Sequence, residues 1–550
     1  MKFKSLFCAL LAGLTLSACS NDEGVNDKVD KTTDQAYVTI SLRNAGALTR
    51  GTDGDNANGI AEENAVSTAE FYFYNADGAF NQYVSKPLTW NNGTTANVEK
   101  IANATVVLKN LKKTGSPKYV VCVLNGNVGA YQGKTLAELK EQIAKDYVTN
   151  SKFIMTNSTY NNGDEKSLYF ATVIKEANFL KEKPTETPLT TENAVQIYVE
   201  RLASKITLGT TLTLTGAAKD EIKVGSYEVD GVQKDITIKI LGWGINAKNK
   251  TSYVEKRVPA TWDKLGDFVW DDKTNFRSYW ACSPNYGGGE YPLSFAKGKA
   301  DDSETAVKAS STLQYVSWSN LGKALGEYDY CLENTNTKDV LEKDNIKAKV
   351  THVLLKAQTV GNEDLIRYEG RLYTKQNFLN LILAQLNMPL YTKNGDEYDQ
   401  IATSDLAVVN TYDGTVDMAL TTEAAAKTWY LKAGADYTAC DLATINKKFD
   451  ALDIKADYYK SGMMYYCIPV EHLRGGKFSV TDKGISVNEA DYGVVRNHYY
   501  KITINSIANL GTAVYNPDEE IVPNMEPETY YVGAQVNILS WKVVNQSVDL

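Results

Sequence analysis

At 550 residues the chain exceeds what a single hydrophobic core fills, so two or three domains are expected. An apolar content of 43% excludes a disordered chain. A net charge of −9 with no long run of Lys and Arg excludes the basic footprint that nucleic acid requires. The 35 tyrosines, against 14 phenylalanines, point to β structure, because Tyr, Thr and Val suit half-buried pleated surfaces. Seven cysteines (Cys8, Cys19, Cys122, Cys282, Cys331, Cys440 and Cys467) include no CxxC pair, and there are only three histidines. This excludes the usual zinc patterns. Buried free thiols are the simpler expectation, and a Cys440–Cys467 pair is left open.

Residues 1–18 read as a signal segment. Lys2 and Lys4 precede the apolar run Leu6 to Leu16, which is too short to span a bilayer. The segment ends Leu16-Ser17-Ala18-Cys19, which resembles the lipobox of bacterial lipoproteins. That resemblance implies acylation at Cys19, which becomes the new N-terminus. Ser20 to Glu23 is a short polar and acidic leader, and a polar tether runs from Asn21 to Gln35.

Ala36 to Arg43 reads as an amphipathic strand with Ala36, Val38, Ile40 and Leu42 on one face. It is followed by Arg50-Gly51 in a stretch rich in Gly, Asp and Asn, a composition suited to proteolytic nicking. Further strands are expected at Val66 to Tyr74, closed by the turn Asn75 to Gly78, at Val106 to Leu108 and at Tyr119 to Leu124. Thr135 to Val148 reads as a helix, with a Thr135/Glu138 capping box and Leu136, Leu139, Ile143 and Val148 on one face. Strands are expected again at Phe153 to Asn157, Val195 to Leu208 and Asp235 to Ile240. After about Lys256 loops lengthen and aromatics increase. Tyr330 to Thr335 reads as loop, Ala348 to Ala357 as strand and Thr374 to Leu386 as helix. Met464 to Val470 reads as a strand with Pro469 near an edge, and Arg496 to Ile504 as another. Asn516 to Thr529, with Glu519, Glu520, Glu526 and Glu528, reads as a solvated linker that sets the last strands free. Those are Tyr530 to Leu550, two alternating runs whose apolar members include Val536, Ile538, Trp541, Val543 and Val548. The change of phase between the runs implies a bend.

No catalytic pattern emerges. There is no Gly-rich phosphate loop and no GxSxG elbow, and no Ser, Cys or carboxylate pattern accompanies His472 or His498. His352 lies in an apolar strand and reads as a satisfied core histidine. The chain is expected to be no enzyme and to hold no metal or cofactor.

Several stretches together resemble the fimbrillin family, the shaft subunits of type V pili, and most closely its minor-fimbrillin branch. They are VQIYVERLASKITL, GWGIN, FRSYWACSPNY, YCLENT, MMYYCIPVEHL, VVRNHYYKITI and the terminal ILSWKVVNQSVDL. The resemblance implies a mostly β fold of two tandem β-sandwich (transthyretin-like Greek-key) domains with a few short helices. Laid on this sequence it gives a signal peptide over residues 1–18 and a propeptide with a removable first strand over 19–50. Sandwich domains follow over 51–255 and 256–529, and a donor-strand segment over 530–550. An Arg-specific protease is implied to cut after Arg50, before Gly51, with Arg43 the weaker choice. The strand carrying Ala36, Val38, Ile40 and Leu42 then leaves, and the next subunit's Val536, Ile538, Trp541, Val543 and Val548 fill the groove. The implied partners are identical subunits in a head-to-tail polymer, the protease, accessory tip and anchor proteins, and host proteins or other bacteria in adhesion and biofilm. The precursor would be lipid-anchored at the outer membrane and the mature form extracellular in fimbriae. The competing reading is a surface lipoprotein adhesin, or a pilus tip or anchor subunit, that binds host protein or glycan.

Overall fold

The computed structural model describes residues 34–45, 59–92, 98–158, 170–184, 194–259, 280–288, 312–341, 349–412, 415–472, 479–481, 484–486, 490–523, 533–535, 539–540 and 542–549. The chain is mostly β with few, short helices.

The first core is built by β1 (Gln35–Ala45), β2 (Ala69–Tyr74), β3 (Phe80–Ser85), β4 (Val98–Lys109), β5 (Tyr119–Leu124), β6 (Met155–Asn157) and β7 (Val195–Arg201). They form one sheet in the order β3-β2-β5-β6-β7-β1-β4. The sheet wraps around a single cluster that includes Val38, Ile40, Leu42, Phe71, Phe73, Val106, Cys122, Ile197 and Val199. Its two ends approach each other, where the Lys109 N–H donates to Gln82 Oε1 at 3.1 Å. The outer face of β2 and β5 is covered by α1 (Leu136–Lys140) through Leu136 and Leu139, so both strands are buried along their whole length. The Asn75–Gly78 turn forms as expected, with Gly78 at φ 80°, a conformation natural to glycine.

The helix itself is a correction. Its capping box is present, with Glu138 N–H donating to Thr135 Oγ1 at 3.2 Å and Thr135 N–H to Glu138 Oε2 at 2.8 Å. It stops at Lys140, however, and not at Val148. Ile143–Ala144 pairs with Ser252–Tyr253, and Val148–Thr149 forms a hairpin with Lys152–Phe153. Those partners are distant in sequence or set by a turn, so tertiary pairing overrides a helical period.

Val195 to Leu208, expected as one strand, is two. β8 (Ala203–Thr210) continues β7 into a second core after a break at Leu202. With β8 come β9 (Glu221–Val229), β10 (Val232–Asn246), β11 (Tyr328–Leu332) and β12 (His352–Thr359). Residues 206–245, which the sequence reading put in the first unit, fill the second core through Ile206, Leu208, Val224, Trp243 and Ile245. No glycine, proline or change of composition marks the boundary at Leu202, which is why the sequence did not reveal it. Tyr328–Leu332 is likewise a strand and not a loop, paired antiparallel to β8.

An inserted lobe comes next. β13 (Leu365–Tyr368) and β14 (Arg371–Thr374) lead to α2 (Lys375–Leu386), which buries Phe378, Leu379, Ile382 and Leu386 as its period predicts. Then come β15 (Leu390–Asn394), β16 (Glu397–Gln400), β17 (Leu406–Tyr412), β18 (Thr415–Leu420), β19 (Trp429–Ala433), β20 (Asp436–Cys440), α3 (Leu442–Asp450) and β21 (Ala456–Tyr459). The lobe has its own core of Ile366, Phe378, Ile382, Leu390, Trp429, Ile445, Phe449 and Tyr458. Sequence reading did not separate it.

The chain returns to the second core with β22 (Met463–Pro469) and β23 (His498–Ser506), and ends in β24 (Gly533–Gln535) and β25 (Lys542–Asp549). The core lies between a sheet in the order β11-β8-β23-β25-β24 and a longer one in the order β17-β18-β21-β13-β14-β9-β10-β12-β22. Pro469 is the last residue of β22 and pairs with His352. The short neighbour Thr512–Ala513 covers only Met464 and Tyr465. Pro469 therefore sits at the end of its strand, in keeping with the edge position expected of it.

His352 is a satisfied core histidine, 3.0 Å from Asn246 Nδ2 and 2.9 Å from the Val350 carbonyl. Cys440 and Cys467 form no disulfide with each other. Burial pushes the Cys331 thiol up to about 12. The expected linker is corrected over its first half. Val522 is fully buried with Ala247, Leu313 and Tyr315, and the Ile521 N–H donates to the Val316 carbonyl at 2.9 Å. Asn516 to Val522 is thus docked on the second core. An acidic, Pro-containing composition did not reveal the two apolar anchors at its centre.

Candidate strand-exchange site

The alternation of Ala36, Val38, Ile40 and Leu42 makes β1 a strand with one apolar face. The fold places it in the middle of the first sheet. It pairs antiparallel with β4 from Gln35↔Lys109 to Ala45↔Val98. On its other edge it pairs parallel with β7 from Ile40↔Val195 to Asn44↔Val199, and with Phe179–Leu180 at Val38 and Tyr37. Val38, Ile40 and Leu42 are fully buried. The β4 partners of Ile40 and Leu42 are Ala104 and Ala102, small residues that leave room for the larger side chains. Taking β1 away would leave two unpaired strand edges, β4 and β7, and a trough shaped for alternate apolar side chains. Such an edge is a template for another strand. At roughly 1.5–3 kcal/mol each, burial of Val38, Ile40 and Leu42 alone amounts to about 5–9 kcal/mol.

Arg43, the weaker of the two cleavage candidates, lies inside the β1 ladders opposite Ile101 and Tyr198, with its guanidinium 5.8 Å from the Tyr198 ring centroid. Cys19, Arg50 and Gly51 lie outside the described residues, as do Val536, Ile538 and Trp541. Val543 and Val548 are on β25, which pairs parallel with β23 of its own chain. There Val543 is opposite Tyr499 and Val548 opposite Ile504. β24 and Leu539–Ser540 fold back on β25 as an antiparallel partner. Among the described residues the terminal hairpin therefore joins the second core through a single ladder, at β23, whereas β1 is held by ladders on both edges.

Sequence reading missed what fixes the chain just after β1. Glu63 sits in the short helix Glu62–Asn64, fully buried. Its carboxylate accepts from Lys205 Nζ at 2.7 Å, from the Tyr330 hydroxyl and from the Ile60 N–H at 3.0 Å. Arg201 is also fully buried. It donates to the Glu63 carbonyl at 2.9 Å, Asn497 Oδ1 at 3.1 Å, Glu99 Oε2 at 3.2 Å and the Asn64 side chain. Tyr330 also stacks edge-on against Phe153, with ring centroids 4.8 Å apart. Arg201, Lys205, Tyr330 and Asn497 thereby clamp residues 60–64 to the junction of the two cores. A second buried group pairs Lys256 Nζ with Glu200 at 3.0 Å and Arg496 with Glu333 at 2.7 Å. Burial opposes charge on Arg496, but Glu333, Glu200 and Glu255 outweigh it and its pKa rises. The signal was present in the sequence. Charged residues interrupt apolar runs in VERLASK, YCLENT and VVRNHYY, but their pairing is long-range.

Removing one partner from a buried ion pair strands the other. Arg201→Met is expected to lower unfolding stability by about 3–5 kcal/mol, measured as a shift in urea midpoint at constant slope. A midpoint equal to the parent's would sink the clamp.

Glu255 gives a pH prediction. It is fully buried, and neither carboxyl oxygen has a hydrogen-bond partner among the described residues. Burial pushes it well above its ordinary value, against the pull of Arg496 and with the help of Glu200. The folded state therefore holds this proton longer than the unfolded state, so this group's contribution to stability falls as pH rises above about 4.5. Glu255→Gln should match the parent near pH 4 and be more stable at pH 7. Urea midpoints at the two pH values measure this, and an equal difference at both would refute it.

Among the described residues no group of three or more His, Cys, Asp or Glu is placed to hold a metal ion, and no helix is long and apolar enough to cross a membrane.

Residues 457–547 match the family model described as "Major fimbrial subunit protein type IV, Fimbrillin, C-terminal". The match takes in β22, β23 and the terminal hairpin. None of the curated proteins matches the sequence. Among solved structures, a fimbrilin from Porphyromonas gingivalis is 13% identical, with 93% of this chain and 96% of that chain covered and a TM-score of 0.36. A fimbrial assembly protein from Parabacteroides distasonis is 12% identical over 59% of this chain and 83% of that chain, with a TM-score of 0.27. A tip fimbrial protein from Porphyromonas gingivalis is 10% identical over 60% and 79%, with a TM-score of 0.28. At these TM-scores the three structures carry no argument about this chain. The fimbrillins are fimbrial subunits and not enzymes. Over residues 457–547, its last strands, this chain is thus similar to the fimbrillin C-terminal module.

Proposed function

We propose that this chain is a fimbrial shaft subunit that polymerises by protease-triggered strand exchange. It is exported as a lipoprotein acylated at Cys19 and held at the outer membrane until an Arg-specific protease cuts between Arg50 and Gly51. The observation that carries this reading is the position of β1. It fills the centre of a sheet, between β4 and β7, yet its backbone runs on to the remainder of the fold only through residues 46–58. Residues 60–64 are clamped by Arg201 and Lys205, so a cut in that connection frees β1 and leaves the remainder in place. The two-sided pairing of Arg43 favours Arg50 as the cleaved residue, because a protease needs an unpaired, extended segment.

The terminal hairpin of the next subunit then supplies the missing strand. Its single ladder to β23 makes it the easier of the two elements to detach, and docking of the chain up to Val522 leaves residues 524–550 as the arm. Head-to-tail contacts of this kind do not close on themselves, so they build a filament. Tip and anchor proteins would cap the two ends, and the filament would carry adhesion to host proteins or other bacteria and support biofilm.

The test is an unboiled SDS gel of the purified precursor before and after Arg-specific proteolysis. A ladder that appears only after the cut, with a new N-terminus at Gly51, is the expected result. A single band after complete cleavage would overturn the shaft reading in favour of a tip or anchor subunit.

A further inference from the structure

Polymerisation makes no use of the outer face of the inserted lobe, where β15, β16, β19 and β20 form a separate sheet in the order β16-β15-β19-β20. Its inner face buries Leu390 and Trp429 in the core of the lobe. Each strand turns one tyrosine outward: Tyr391, Tyr398, Tyr430 and Tyr437, all half-buried. Tyr391 and Tyr430 are direct cross-strand partners. Tyr398 and Tyr437 reach in from the two outer strands and stack, with centroids 3.7 Å apart and planes 6° apart. Tyr391 meets Tyr437 edge-on at 5.3 Å, and Tyr398 meets Tyr430 edge-on at 5.4 Å. Two residues further along the same face are Lys393, Gln400, Lys432 and Ala439. The Lys432 ammonium lies 5.5 Å from the Tyr391 centroid and 5.4 Å from that of Tyr437. Neither Lys393 nor Lys432 pairs with a carboxylate among the described residues. Asp399 and Glu397 occupy the opposite phase of their strand.

A contiguous aromatic surface left open to water is a site for contact. Its chemistry narrows what makes that contact. The cores of protein interfaces are depleted in charge, and this face holds two unpaired ammonium groups among its rings and no aliphatic side chain larger than alanine. Nucleic acid needs a basic surface, and the chain is acidic overall. A pyranose ring offers an apolar C–H face for a tyrosine ring and hydroxyls for the phenol groups. A carboxylate on that sugar would meet Lys393 or Lys432, which are the only charges on the face. We propose that this four-tyrosine sheet face is a binding site for acidic oligosaccharides, chains that carry a uronic or sialic acid. The proposal does not depend on strand exchange, since a tip, anchor or shaft subunit would present the face alike.

The experiment is saturation-transfer NMR on the full chain with 3′-sialyllactose and a hyaluronan hexasaccharide as acidic probes and lactose as the neutral one. Transfer from the tyrosine rings to the ring protons of an acidic probe is expected, with lactose weaker. Which acidic probe responds identifies the source of the carboxylate. Lys432→Gln, which leaves the stacked pair intact, and Tyr437→Ser should each weaken binding on the order of tenfold with an unchanged thermal midpoint. No transfer to either acidic probe, equal transfer to lactose, or unchanged binding by Lys432→Gln would each overturn the proposal. If Tyr437→Ser lowers the thermal midpoint, Lys432→Gln alone decides.

Discussion

The Arg50→Ala precursor is expected to remain monomeric under conditions in which the parent chain forms a ladder. The reason lies in β1. Its apolar face and two ladders occupy the groove between β4 and β7, and in the uncut chain that strand is covalently tethered to its site. A short tether gives an effective concentration on the order of millimolar, so a competing strand at micromolar subunit concentration is disadvantaged by about a thousandfold before any difference in fit. Cleavage abolishes the tether and makes loss of β1 irreversible on dilution. The variant should be as stable as the parent precursor, because Arg50 lies outside the paired span of β1. Unboiled gels and size-exclusion chromatography after protease treatment measure the outcome. Normal fibres from Arg50→Ala would place the cut elsewhere or remove cleavage from the mechanism.

Deleting residues 530–550 is expected to abolish elongation while leaving the folded domains intact. Among the described residues the terminal hairpin pairs with the rest of the molecule only at β23, and β23 keeps its other partner, β8, from Lys205↔Tyr499 to Thr210↔Ile504. Tyr500, Ile502 and Ile504 remain packed in the second core. The thermal midpoint should fall by less than about 10 °C and the near-UV CD spectrum should be retained. The cleaved, truncated chain keeps its groove but has no strand to donate. Mixed with cleaved full-length chain, it should accept one donor and end the filament, shortening the ladder as its share rises. A truncated chain without tertiary CD signal would show instead that β25 is an integral part of its own core.

The sequence by itself determined the β class, the apolar faces of β1 and α2, the satisfied state of His352 and the absence of a catalytic pattern. All of these rest on short-range periodicity or composition, which a single chain displays directly. It also carried the charged residues of VERLASK, YCLENT and VVRNHYY in plain view. What they do could not be read there, because Glu63, Arg201 and Asn497 meet across sequence separations of more than 100 residues. Only the tertiary structure decided that the helix begun by Thr135 and Glu138 gives way to strand pairing after Lys140. It alone placed the division between cores at Leu202, since β7 and β8 are continuous in character and are separated only by what packs on them. It also distinguished the two faces of the tyrosine-bearing hairpins. Alternation tells that a strand has two faces, but which one meets the core depends on where Leu390 and Trp429 find partners. The same holds for β1: its pattern announced a half-buried strand, and the sheet order put it at the centre, where its removal opens a groove.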